Sequence, residues 1–125
     1  MHIYRAFALF ITLIVGVFIF VYSSTPFPPS PSRVFSFLSV AYHVGVFFLL
    51  SSFLLLGVKA DRNLWSKEFF LVFFLSLFYA FLDELHQHFV PGRAMDLMDV
   101  GYDVVGLFSG IMLMGFLHVV QARRN

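Results

Sequence analysis

The sequence contains no cysteine, and only 12% of its 125 residues are charged. Without cysteine the chain can form no disulfide, no thiol nucleophile and no thiolate metal site. The low charge also separates it from soluble domains, in which about 25% of residues are charged. With a net charge of +1 and no basic tract, the sequence gives no indication of nucleic-acid binding.

Hydrophobic residues make up 60% of the chain, and they are gathered in four long apolar runs. A helix needs roughly 20 apolar residues to cross a bilayer core of about 30 Å. The runs cover residues 3–22, 37–58, 69–90 and 100–120. We therefore predict an all-α fold, a single domain over residues 1–125 in which four transmembrane helices form a bundle in the plasma membrane.

The segments between the runs carry the residues that interrupt membrane helices. Residues 26–31 are rich in proline, residues 59–68 are charged and include Trp65 as an expected interfacial anchor, and Pro91-Gly92 is a turn dipeptide. The first run exceeds the 7 to 15 apolar residues of a usual signal peptide, so we expect a retained helix.

Lysine and arginine are distributed unevenly between the two ends of the predicted bundle. Four crossings place both termini on one side. That side holds Arg5, Lys59, Arg62, Lys67, Arg123 and Arg124, whereas the other holds Arg33 and Arg93. The positive-inside rule then predicts cytoplasmic termini and an outward-facing Pro91-Gly92-Arg93 turn.

Five of the seven carboxylates lie between positions 83 and 103. They are Asp83, Glu84, Asp96, Asp99 and Asp103. An ionisable side chain inside a membrane segment costs on the order of 3 kcal/mol or more and usually faces the bundle interior, which makes this cluster a functional-site hypothesis.

Helical periodicity places these carboxylates on two faces that should point into the bundle. The third segment carries small and polar residues on one face, namely Ser76, Ala80, Asp83, Glu84 and Gln87, and phenylalanine and leucine on the other. The fourth carries Asp96, Asp99, Asp103, Gly106 and Gly110 on one face. Its GxxxG pattern predicts close approach of a neighbouring helix.

His43 lies about 9 Å in from the outer end of the second segment, at the depth of the acidic residues. We therefore predict a polar pocket near the outer surface, covered by the turn that contains Arg93. It would be built from His43, Asp83, Glu84, Gln87, Asp99 and Asp103. Carboxylates crowded in a poorly solvated place cannot all ionise cheaply, so at least one should serve as a general acid or base.

Each of these residues also has a purely structural interpretation. Arg93 can pair with Asp96 or Glu84 to tie the turn to a helix. Asp99 is expected to be the N-cap of the fourth helix, a role that does not exclude a second one. His43 can be a hydrogen-bonded interior histidine.

No metal or other cofactor is predicted, although the spacing of some residues permits a divalent cation. Glu84 and His88 are four residues apart on one helix, and Asp96 or Asp99 would lie opposite. No HExxH motif is present to strengthen that interpretation.

The motifs of residues 84–110 resemble the signature of the VanZ-like family. The matching residues are Glu84, Gln87, Pro91-Gly92-Arg93, Asp99, Gly106 and Gly110, with His43 and Phe47 as weaker support. Asp103 stands where the family has asparagine, and Ser39-Val40 replaces a common Asp-Lys pair. The resemblance implies an integral membrane protein acting at the cell envelope, in a family named for low-level teicoplanin resistance.

The leading hypothesis is that the outward pocket binds or modifies an envelope component, namely the polar head of a lipid. Glu84 would handle protons together with Asp83 and Asp99, and Arg93 would hold a phosphate or carboxylate of the ligand. Gln87, His43 and Asp103 complete the predicted binding residues. The alternative is a non-catalytic helical module, in a homo-oligomer or a larger membrane assembly, whose polar cluster locks helices together. An ion conduit is disfavoured, because the inner halves of the segments carry few polar residues.

Overall fold

The computed structural model describes residues 2–26, 33–58 and 67–124, which form four α-helices. The helices are α1 (His2–Ser23), α2 (Arg33–Gly57), α3 (Lys67–Gln87) and α4 (Leu97–Arg124). Each is long and apolar enough to cross a membrane, which confirms the predicted all-α bundle of four transmembrane helices. Trp65, Lys59, Arg62 and most of the proline-rich segment lie outside the described residues, and their predicted roles stay predictions.

Helix α3 ends at Gln87, three residues before the end of the apolar run. The N–H groups of Phe89 and Val90 donate to carbonyls three residues back, each at 3.0 Å, so the chain leaves the α-helical pattern there. Val90 precedes Pro91, which disfavours helical geometry at the preceding residue. Gly92 then adopts a φ of 78°, which glycine tolerates without steric cost, and the chain turns towards α4.

Helix α4 begins at Leu97, and its N-cap is Asp96. Oδ1 of Asp96 accepts a hydrogen bond from the backbone N–H of Met98 at 2.8 Å, as an N-cap carboxylate does. The expectation that Asp99 caps this helix is therefore wrong, because Asp99 lies inside the first turn. The predicted apolar run begins at Val100, directly after Asp99, whereas α4 already starts three residues earlier, at Leu97.

Helices α2 and α4 form the most extensive contact of the bundle. A Cβ at Gly106 would collide with the backbone of Val44, and one at Gly110 would lie 2.5 Å from the carbonyl oxygen of Phe48. The predicted close approach at the GxxxG motif is therefore present, and its partner helix is α2.

Among the described residues, apolar side chains and a few serines fill the middle of the bundle, and the buried ionisable side chains lie towards one end. Its fully buried apolar side chains come from all four helices and include Ile19, Phe47, Val72, Leu107 and Ile111. On α3 the buried residues include Ser76, Ala80, Asp83, Glu84 and Gln87, whereas Phe74 and Phe78 are about 60% exposed on the opposite side. The predicted polar face of α3 thus points inwards, and its phenylalanine face points outwards.

Candidate functional site

At one end of the bundle, here called the site end, α1 and α3 finish and α2 and α4 begin. Among the residues that the structure describes, six polar side chains are buried there, each at most 4% exposed. They are Ser23, His43, Asp83, Glu84, Gln87 and Asp103. The structure therefore brings together five of the six predicted pocket residues in the interior, and the sixth, Asp99, lies beside them with a side chain that is 23% exposed.

His43 connects α2 to two acidic residues of α4. Its Nδ1 lies 2.9 Å from Oδ1 of Asp103, and its Nε2 lies 3.5 Å from Oδ2 of Asp99. The first distance is a hydrogen bond, while the second exceeds the usual range. The imidazole thus lies between two carboxylates, with a hydrogen bond to Asp103 at Nδ1 and a longer contact with Asp99 at Nε2.

Glu84 is fully buried and accepts a hydrogen bond on each carboxylate oxygen. Oε1 accepts from Nε2 of Gln87 at 3.1 Å, and Oε2 accepts from the backbone N–H of Asp96 at 3.0 Å. The first N–H groups of a helix lack intrahelical acceptors, and here a side chain from α3 supplies one at the N-cap residue of α4. Glu84 therefore holds the start of α4 against the end of α3.

Asp83 faces α1 rather than α4. Its Oδ2 accepts hydrogen bonds from Oγ of Ser23 at 2.9 Å and from Nε2 of Gln87 at 3.0 Å. Because Gln87 also donates to Glu84, it joins the two carboxylates of α3. Ser23 is not among the residues that the sequence predicted for the site, although a hydroxyl group at the site end of α1 could have indicated its contribution.

Arg93 connects the turn after α3 to the end of α1. Its Nε donates to the carbonyl of Thr25 at 3.2 Å, its Nη2 donates to the carbonyl of Tyr22 at 2.7 Å, and the guanidinium lies 5.2 Å from the ring centre of Tyr22. Its Nη1 also donates to Oε1 of Gln87 at 3.2 Å. The guanidinium therefore borders the buried site, and its predicted contact with a ligand stays a prediction.

His86 lies on the α1 side of the site, whereas His88 is exposed. Nε2 of His86 is 2.9 Å from Oγ of Ser24, and its ring stacks on Phe20 with centres 4.8 Å apart. A cavity of about 210 Å³ opens beside it. The cavity is lined by Phe20, Tyr79, Leu82, Asp83 and His86.

A second, larger cavity lies next to the first and shares Phe20 and Tyr79 with it. It is open to the surface of the bundle, because its lining residues Leu13, Val17 and Phe20 are more than half exposed. Its volume is about 440 Å³. Its lining is almost wholly apolar and consists of Thr12, Leu13, Gly16, Val17, Phe20, Leu50 and Tyr79. The two cavities together occupy the region where α1 and α3 make the smallest of the helix contacts.

Within the described ranges, His43, Glu84 and Asp99 form a group with the spacing of metal ligands. One ligand atom from each lies within 4.8 Å of the others. The sequence spacing suggested His88 as the imidazole beside Glu84, but the group instead contains His43, because α2 packs closely on α4 and carries His43 to Asp99. Proton transfer by Glu84, Asp83 or Asp99 stays a prediction.

Comparison with known proteins gives a match at the level of a family. A family model described as VanZ/LLP1 matches residues 2–118. No curated protein and no solved structure shows a significant match to the chain.

Proposed function

Because the chain belongs to the VanZ/LLP1 family and its buried polar site adjoins an apolar cavity, we propose that it binds a membrane lipid between α1 and α3. The acyl chain would occupy the larger cavity, and the polar head group would reach the smaller one. The observation that carries this proposal is that Phe20 and Tyr79 line both cavities, which places the apolar and the polar one side by side.

The lining of the two cavities has the polarity pattern of an amphiphile. Apolar side chains surround the larger cavity, and the smaller one adds Asp83 and His86. Ligand sites are commonly apolar with a few polar groups that fix orientation. A lipid lying with its chain along α1 and its head group at the site end would match the apolar lining of the larger cavity and the polar groups of the smaller one.

The polar groups at the smaller cavity favour a head group that donates hydrogen bonds. A carboxylate accepts on several lone pairs, so Asp83 can take a further donor beyond Ser23 and Gln87. His86 adds an imidazole that can donate or accept. The proposed head group therefore carries an ammonium or hydroxyl group.

The proposal places the site end in the outer leaflet, following the uneven distribution of lysine and arginine. The protein has no native cysteine, so labelling of a single introduced cysteine shows on which side of the membrane that residue lies. Ala94→Cys, at an exposed residue of the turn after α3, should react with a membrane-impermeant thiol reagent on intact cells. Asn63→Cys should be protected, and the reverse pattern would place the site on the inner side.

The direct test is native mass spectrometry of the full chain released from membranes in mild detergent. The wild-type protein should retain a lipid, and Gly16→Leu should lose it, because the new side chain would enter the cavity towards Leu50 and Tyr79. Asp83→Asn should retain lipid but change the distribution of head groups, since it removes the carboxylate.

Ala6→Leu is the matched control for Gly16→Leu, because it adds the same side chain to α1 at an exposed position. It should keep the wild-type lipid. Equal lipid retention by the wild type, Gly16→Leu and Ala6→Leu would contradict binding in the cavity.

A second candidate, a structural lock, has its own supporting observation. Hydrogen bonds at the site end join α1 to α3 through Ser23 and Asp83, and α2 to α4 through His43 and Asp103. In this view the protein is a non-catalytic module or assembly subunit. Glu84→Gln and Arg93→Lys would then reduce accumulation in membranes. A functional site instead requires that, compared with the wild type at equal amounts in the membrane, they abolish an envelope phenotype, for which teicoplanin susceptibility is the natural measurement.

A further inference from the structure

We propose that His43, Glu84 and Asp99 form a binding site for a divalent metal cation, with Asp103 as the residue that orients the histidine. The three side chains come from α2, α3 and α4, and one ligand atom from each lies within 4.8 Å of the other two. The site is separate from the cavities between α1 and α3 and requires no bound lipid.

The hydrogen bond at Nδ1 of His43 leaves Nε2 as the coordinating atom. A metal-binding histidine almost always donates its other ring N–H to a carboxylate, a carbonyl or water, which fixes its tautomer and orientation. Oδ1 of Asp103 occupies that position, 2.9 Å from Nδ1. The lone pair of Nε2 then faces the carboxylate of Asp99.

The distance between Nε2 and Oδ2 of Asp99 fits two ligands of one ion. At 3.5 Å it is longer than a hydrogen bond of good geometry. Zinc binds nitrogen and carboxylate oxygen at about 2.0 to 2.2 Å, so two ligands at a tetrahedral angle lie roughly 3.4 Å apart. The observed spacing therefore matches an edge of a coordination tetrahedron.

Asp103 adds a third carboxylate beside the same imidazole, on its Nδ1 side. The residue is fully buried, and its Oδ2 has no hydrogen-bond partner among the residues that the structure describes. A buried acceptor without a partner is costly, and more so when it is charged. Glu84, Asp99 and Asp103 thus surround one imidazole with three carboxylates, and a divalent cation would offset their charge.

The ligand types indicate which ions the site would take. Imidazole suits zinc and other transition metals, whereas carboxylates also suit manganese and magnesium. One imidazole with two carboxylates therefore favours Zn²⁺ or Mn²⁺ over Mg²⁺. Three protein ligands also leave a coordination position for water or another molecule.

Isothermal titration of the purified, chelator-treated full chain with Zn²⁺ or Mn²⁺ tests the proposal. We expect one ion per chain for at least one of these metals. Asp99→Asn should weaken binding at least about tenfold, and Asp103→Asn about 10- to 100-fold, the usual cost of losing the partner of a histidine ligand. Because Asp99 is partly exposed, its variant should fold even if a variant of a fully buried residue does not.

His88→Gln is a matched control, since it removes an exposed imidazole of the site end that lies outside the ligand group. It should bind the ion as the wild type does. X-ray absorption of the zinc-loaded protein should show one imidazole with oxygen ligands. No saturable binding, binding that Asp99→Asn leaves unchanged, or a spectrum without imidazole would each overturn the proposal.

Discussion

The interface between α2 and α4 and the interface between α1 and α3 differ in how closely the helices approach. Gly106 and Gly110 let α4 touch the backbone of α2, which leaves no room for added atoms. Between α1 and α3 there are instead two adjoining cavities and a few polar contacts at the site end. The difference indicates that the interface between α2 and α4 stabilises the bundle, whereas the interface between α1 and α3 leaves space for a ligand.

Gly106→Ala should have the largest effect on stability. The added Cβ would collide with the backbone of Val44, which cannot move aside as a flexible side chain can. We expect the free energy of unfolding in detergent micelles to fall by about 3 kcal/mol, the upper part of the range for overpacking. Gly45→Ala is the control, because no atom lies within 4 Å of its new Cβ. Equal stability of the two variants would contradict the close packing of α4 on α2.

Glu84→Gln should have the next largest effect, because Glu84 joins α3 to the start of α4. Glutamine offers one acceptor oxygen and one NH₂ group, so the N–H of either Gln87 or Asp96 would lose its partner. A buried donor without a partner costs about 2 kcal/mol. Chemical unfolding should show this loss of unfolding free energy. Glu68→Gln, at the other end of α3, is the control, and a smaller loss in this variant would assign the destabilisation to the site end.

Ser23→Ala should cost about 1 kcal/mol, the net value of one hydrogen bond. It removes the hydroxyl group of α1 that donates to Asp83 of α3, while Gln87 remains as a second donor. Ser109→Ala is the control, because this exposed hydroxyl group donates to the carbonyl of Val105 in its own helix. If the two variants were equally stable in thermal unfolding, the contact between α1 and α3 would contribute nothing.

Gly16→Ala should have the smallest effect and the opposite sign to Gly106→Ala. The nearest atoms to its new Cβ, in Leu50 and Tyr79, lie at ordinary contact distance. Helix propensity favours alanine over glycine by up to about 1 kcal/mol. Unchanged or slightly higher stability in the same unfolding assay is expected, and a large loss would mean that α1 packs tightly after all.

The sequence predicted the inward faces of α3 and α4 well, because helical periodicity alone determines which residues share a face. It did not predict that α2 is the partner of Gly106, since a small-residue pattern indicates close approach without naming the neighbour. The expectation that Asp99 caps α4 failed because the apolar run was taken to begin directly after this carboxylate, whereas the helix starts at Leu97. Ser23 was missed for a related reason, as its role depends on which helix lies beside α1.

The most direct test of the account is photolabelling of the reconstituted protein with a phospholipid that carries a diazirine in its acyl chain. Peptide mapping should find the label concentrated on the cavity residues Thr12, Gly16, Phe20, Leu50 and Tyr79. Gly16→Leu should abolish that concentration and leave labelling of the exposed face of Phe74 and Phe78 unchanged. Equal labelling of all exposed apolar faces, with no preference for the gap between α1 and α3, would contradict the account.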